Sequence, residues 1–167
     1  MEKKQKNIIV FVVTLYDRYI DEIQKYAKDN DKEYRVMLLW DSKLKKPDMH
    51  KRYDLFVECD FSKPHKIAEA LLPYQDELLA ITCRTEQNIA RFMQVIPHVP
   101  YLRTPSTESL RWATDKYEMR KRLKLFDAKN TPKFTWIKDG SKAERDRVIT
   151  KVQFPMIVKP ANLAGSL

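Results

Sequence analysis

The sequence predicts an α/β protein built on a parallel, doubly wound sheet. Three observations predict it. Short apolar, β-branched runs recur along the first hundred residues. Stretches with apolar residues at helical spacing separate them. A polar loop rich in lysine and aspartate separates the second apolar run from the third. Strands alternating with helices imply parallel pairing and right-handed crossovers. The length of 167 residues suits one full domain and part of another, and a hydrophobic content of 43% supports a packed core.

Residues 7–14 (NIIVFVVT) form a continuous apolar run, the signature of a strand buried on both faces. Residues 17–30 place Tyr19, Ile20, Ile23, Tyr26 and Ala27 on one helical face, with Asp17 as the expected N-cap. Residues 34–40 (YRVMLLW) and 54–59 (DLFVEC) predict the second and third strands. Pro64 opens a helix to about Gln75, because a first-turn proline gives up no hydrogen bond. Residues 78–82 (LLAIT) predict a fourth strand and residues 86–95 another helix. Pro97, Pro100 and Pro105 then mark a boundary near residue 103, which closes a first domain at 1–102. Thr107 is expected to cap a helical linker within 103–130, broken by Pro132. The last part, 131–167, reads as a strand at 134–138, a turn at Asp139-Gly140, and a helix. A capping box of Ser141 and Glu144 opens that helix, and a final strand runs over 156–159.

Charge divides the chain. Residues 1–102 carry 17 Lys/Arg against 16 Asp/Glu, whereas residues 103–167 carry 15 against 7. The second part therefore seeks anions: a nucleotide, a nucleic acid or an acidic partner surface. Nucleic acid is disfavoured, because no aromatic platform accompanies Arg120, Lys121, Arg122 and Lys124. No apolar run is long enough to span a membrane. The basic N-terminus lacks a small-residue cleavage site, so no signal peptide is expected. Cys59 and Cys83 are too few and too far apart for a zinc site, and reduced thiols in a cytoplasmic protein are expected. His50, His65 and His98 are scattered and receive no catalytic role. Trp40, Trp112 and Trp136 are assigned to packing.

The turn after the first strand, Thr14-Leu15-Tyr16-Asp17, has no glycine. A dinucleotide site needs glycine there so that the backbone can approach the pyrophosphate, which excludes NAD and FAD from residues 1–102. The chemistry-bearing residues lie in the second part. Lys116 and Arg120 belong to a helix, and Lys159 closes an apolar run, Met156-Ile157-Val158, before Pro160. Two lysines on separate elements can flank a polyphosphate as charged donors. Gly165 and Ser166 offer backbone N–H groups and a hydroxyl beside them.

In order and spacing, Asp115-Lys116 with Arg120, then Thr131-Pro132, then Phe154-Pro155 through Lys159-Pro160 resemble the ATP-grasp superfamily of ligases, which includes biotin carboxylase and carbamoyl-phosphate synthase. The resemblance is closest over 105–167 and topological over 1–102. It implies a glycine-poor, Rossmann-like pre-ATP-grasp domain, a helical linker, and the opening of an ATP-grasp lid subdomain. It also implies that the chain is the N-terminal fragment of a larger enzyme and inactive alone. Lys116, Lys159, Gly165 and Ser166 would then meet ATP, in a loop over 161–166 serving as phosphate lid. Magnesium ligands would lie outside this chain, so no metal-binding or catalytic residue is assigned within it. The intact enzyme would use Mg-ATP to convert a small-molecule carboxylate, or bicarbonate, to an acyl-phosphate that an amine or thiol attacks. Two other classes compete. One is a non-enzymatic interaction module docking through its basic part. The other is a receiver-like phospho-acceptor using Asp60, Thr82 and Lys159, disfavoured because 77 residues separate the last two.

Overall fold

The computed structural model describes residues 5–14, 16–46 and 53–162. They form two compact units, Met1–Thr107 and Glu108–Leu167.

The first unit is an α/β layer structure. Its strands are β1 (Ile8–Val12), β2 (Arg35–Asp41), β3 (Leu55–Cys59) and β4 (Leu78–Thr82), all paired in parallel in the order β3-β2-β1-β4. Central β1 and β2 are the most apolar runs, and this places them where both faces are covered. Strand parity divides their side chains. Phe11, Val36 and Leu38 join Ile20 of helix α1 (Asp17–Asp29) in one core, extended by Ile9, Tyr19, Ile23, Trp40, Tyr53 and Phe56. Val10, Val12, Met37 and Leu39 leave from the opposite face and are fully buried. Helix α2 (Pro64–Leu71) packs on β3 and on helix α3 (Ile89–Val95). Ile67, Leu71, Phe92 and Val95 are the buried positions of these two helices.

Two details differ from expectation. The helix opened by Pro64 ends at Leu71 and tightens into a 3₁₀ turn over Leu72–Tyr74 instead of continuing to Gln75. Pro73 is the cause: it has no N–H to give and its ring crowds the carbonyl of the preceding turn. Asp17 is the first helical residue rather than the cap. Tyr16 holds the N-cap position, and no side chain bonds there.

The second unit contains, from Glu108 on, α4 (Thr107–Thr114), then α5 (Lys116–Phe126) and α6 (Lys142–Val152). Thr107 lies inside α4 rather than capping it, and the expected linker helix is two helices. The Thr114 hydroxyl turns back to the carbonyls of Leu110 (3.0 Å) and Arg111 (3.1 Å). Asp115 then caps α5, its carboxylate accepting from the amides of Tyr117 (2.8 Å) and Glu118 (3.0 Å).

The strands expected at 134–138 and 156–159 do not form ladders among the described residues. For 134–138 the reason is visible. Helix α6 takes the backbone groups that a ladder would use: Arg147 donates to the carbonyl of Trp136, and the amide of Lys138 donates to Glu144 (2.9 Å). The capping box is consequently half made. Ser141 accepts from the Glu144 amide (3.2 Å), but the Glu144 side chain is committed to Lys138 and Arg147. Segment 154–160 has no neighbouring strand among the described residues. Val148 is the one buried apolar side chain of this unit among the described residues.

Candidate functional site

Two places concentrate chemistry, one in each unit. In the first unit it is the carboxyl edge of the sheet. Sheet order reverses direction between β1 and β4, and in open parallel sheets such a reversal leaves a crevice outside the strand ends. Val13, directly after β1, has φ 65°, and the amide of Thr14 bonds to the carbonyl of Val12 (2.8 Å). This is a γ-turn with a left-handed centre, costly for a β-branched residue and tolerated where the surroundings over-determine it. Those surroundings are polar. Thr14 and Thr85 share a hydroxyl–hydroxyl bond (2.9 Å), and Asn88 donates to both, at 2.7 and 2.8 Å. Arg91 reaches Asn88 (3.4 Å) and Asp41 (3.1 Å), joining the ends of β1, β2 and the loop after β4 through α3.

At the end of β3, Asp60 accepts from the Ser62 hydroxyl (2.6 Å) and amide (2.9 Å), with Lys43 3.3 Å and Lys63 3.7 Å away. The Ser62 bonds, with Lys43 beside them, hold the Asp60 carboxyl at about 2. Lys159, the third residue of the phospho-acceptor reading, belongs to the second unit. Cys59 is buried, and desolvation, with Asp41 and Asp60 adding to it, pushes its thiol up to about 11.

In the second unit the lysine-bearing elements converge. The amide of Lys116, first residue of α5, donates to the carbonyl of Ala161 (2.8 Å), two residues past Lys159. The start of α5 is therefore saturated: Asp115 takes two of its amides and Ala161 a third. Any anion held here meets side chains rather than the helix end. Lys116 is half-buried and Lys159 exposed. Gly165 and Ser166 lie outside the described residues.

Around this pair, Tyr117 packs edge-on against Phe134 and Trp136, both at 5.6 Å between ring centres. Arg147 braces the same segment. It binds Glu144 through Nε (2.8 Å) and Nη2 (2.6 Å), and Thr135 through Nη1 (3.0 Å). The Arg147 bonds, with the Lys138 amide, hold the Glu144 carboxyl at about 2. The sequence singles out neither this brace nor the Thr14–Thr85–Asn88 network. An Asn88-x-x-Arg91 spacing after the fourth strand was the available signal, but Arg91 needs Asp41 from 50 residues away and Asn88 needs Thr14 from 74, which no local pattern supplies. Among the described residues no group of three or more His, Cys, Asp or Glu is placed to hold a metal ion. None of their helices is long and apolar enough to cross a membrane.

No protein-family model matches the chain, and no curated protein matches it in sequence. Its fold does match a solved one. The chain superimposes on part of an L-amino acid ligase from Bacillus licheniformis with a TM-score of 0.63 at 14% identity. The match covers 95% of this chain and 38% of the ligase chain. A likeness at this identity is one of fold, and it does not single out biotin carboxylase. This protein is thus an α/β protein whose four-stranded parallel sheet is flanked by helices, and nearly all of it follows the course of a segment of that ligase.

Proposed function

We propose that this chain is part of an ATP-dependent ligase that activates a carboxylate, or bicarbonate, by phosphorylation before an amine or thiol attacks it. The observation that carries the proposal is the fold likeness to part of an L-amino acid ligase. The Lys116–Ala161 bond supports it by setting the start of α5 against the segment that carries Lys159.

In this reading the bound nucleotide supplies the phosphoryl group. The chain's own residues bind and orient it. Lys116 and Lys159 donate to phosphate oxygens and offset charge that builds up during transfer. The loop over 161–166, with Gly165 and Ser166, closes over the phosphates. Tyr117, Trp136 and Arg147 hold the start of α5 and the 134–138 segment in place. Magnesium enters with the nucleotide in this reading. Among the described residues no group of three or more His, Cys, Asp or Glu is placed to hold it.

A lysine-acylating ATP probe tests the reading. It carries an activated acyl group on its terminal phosphate, so it labels lysines lying against the phosphates. Labelling concentrated on Lys116 and Lys159, and suppressed by excess ATP, is expected. Equal labelling of the exposed lysines at large, unaffected by ATP, would overturn it.

A second reading has its own support. Leu125, Phe126 and Ile157 are 80%, 91% and 82% exposed in a unit of strongly basic sequence, as a docking surface for an acidic, partly apolar partner would be. Partner capture that persists after Lys116 and Lys159 are both replaced by glutamine, and that weakens with salt, would favour it.

A further inference from the structure

The sheet of the first unit is covered unevenly. On the face where α1 lies, the helix packs over Phe11, Val36 and Leu38 of β1 and β2. The side of β4 beyond it stays open: Leu79 is 41% exposed, although a parallel sheet ordinarily has both faces covered. The result is a groove of about 430 Å³, within the size range of small-molecule sites.

Its chemistry is specific. Ile9, Phe11 and Leu79 make an apolar floor. Ile23 and Tyr26 of α1 form one wall, and Tyr26 stacks with Tyr34 at 6.3 Å and 25° between ring planes. A flat apolar body fits between such surfaces, with ring edges and faces to pack on.

Charge sits at the carboxyl end of β4. Arg84 lines the groove, its guanidinium 4.9 Å from the centre of the Tyr19 ring. Glu22 also lines it, one turn along α1 from Tyr19. Arg18, four residues before Glu22, donates to the Tyr19 hydroxyl (3.0 Å) and lies 4.9 Å from the centre of the same ring. Two guanidiniums therefore stand about Tyr19 against the single carboxylate of Glu22, and Arg84, which also bonds the Tyr19 side chain, is a planar donor suited to a carboxylate.

We propose that this groove binds a small carboxylic acid with an apolar, flat body, the body resting on Ile9 and Leu79 beside Tyr26 and the carboxylate meeting Arg84. The proposal goes beyond the ligase reading and is tested without nucleotide, so either can fail while the other stands.

The full 167-residue chain, labelled with ¹⁵N, is titrated with 3-phenylpropanoate and followed by amide chemical shifts. At the efficiency usual for small ligands the dissociation constant is about 1 mM. Saturable shifts are expected at Ile9, Ile23, Leu79, Thr82 and Arg84. The neutral alcohol of the same skeleton should bind about tenfold more weakly, the loss of one charge-assisted hydrogen bond. Arg84→Gln should weaken the acid by about the same factor and leave the alcohol unchanged. Leu79→Glu should abolish binding of both. Arg84 and Leu79 are surface positions, and each variant's spectrum reports directly whether the fold is kept. No saturable shift up to about 10 mM, ten times the expected constant, would overturn the proposal. So would equal affinity for acid and alcohol, tighter binding of phenethylammonium, or an Arg84→Gln variant that binds the acid as before.

Discussion

Replacing Arg91 by methionine tests how the sheet's carboxyl edge is held. Asp41 is only 5% exposed and ends the central strand β2. Its carboxylate has two partners of note: the Arg91 guanidinium at 3.1 Å and the Lys43 amide at 3.2 Å. Methionine keeps most of the Arg91 stem and removes the charge. Breaking a fully buried pair costs about 3–5 kcal/mol because a charge is stranded. Here the Arg91 side chain is 33% exposed and the Lys43 amide remains, so water and one hydrogen bond offset part of that cost. About 2 kcal/mol is expected, the value of one hydrogen bond to a charged group. For a chain of this size that lowers Tm by about 4–8 °C.

Urea unfolding followed through Trp40 measures it, since Trp40 is the one tryptophan of the first unit. Trp112 and Trp136 are replaced by phenylalanine in both the parent and the variant. Adding Asp41→Asn to the Arg91→Met chain removes the stranded charge and should recover about 1 kcal/mol or more. A single-variant cost below about 0.5 kcal/mol, within the range of ordinary surface substitutions, refutes the reasoning. So does a double variant no more stable than Arg91→Met alone, which would mean that Arg91 acts through packing and not through charge.

Three further outcomes are expected. The Glu144 carboxyl is lowered from 4.5 to about 2, so its contribution is complete above about 4.5 and fades as pH falls toward 2. Amide exchange in α6 should accelerate over that window, and Glu144→Gln, which has no charge to lose, should show a flatter profile. Cys59 should resist alkylation: with a thiol near 11 against an ordinary 9.0, its thiolate population at pH 8 is about 100-fold below that of an unperturbed thiol. Mass spectrometry should therefore find Cys83 modified first, and equal rates would contradict the burial described. Finally, Val148 is the one buried apolar residue of the second unit among the described residues, whereas β1 and β2 alone bury eight. Amides in α5 and α6 should exchange well before those of β1 and β2. Uniform protection across both units would contradict this difference in core.

The local character of the first unit was legible in its sequence. IIVFV, RVMLLW and LLAIT are strand-forming runs, and no reading of them as helices suits their length or β-branching. Ser141 and Pro64 announce helix starts through groups intrinsic to those residues. Helix ends were less legible, because Pro73 and Thr114 act on the turn behind them.

Strand formation in the second unit was not decidable locally. FTWIK and MIVK have strand composition, but a ladder needs a second backbone at hydrogen-bond distance, and composition does not provide one. Among the described residues α6 occupies the Trp136 carbonyl and the Lys138 amide instead. By itself, then, the sequence determined the succession of elements in the first unit, the surplus of positive charge after residue 103, and the candidate lysines Lys116 and Lys159. Only the tertiary structure decided that the amide of Lys116 meets the carbonyl of Ala161, that Asp41, Asn88 and Arg91 close one network, and that β4 leaves a tyrosine-walled groove open. Each of these depends on residues distant in the chain becoming neighbours in space. Burial of the apolar runs drives that approach, without local propensity encoding which groups will meet.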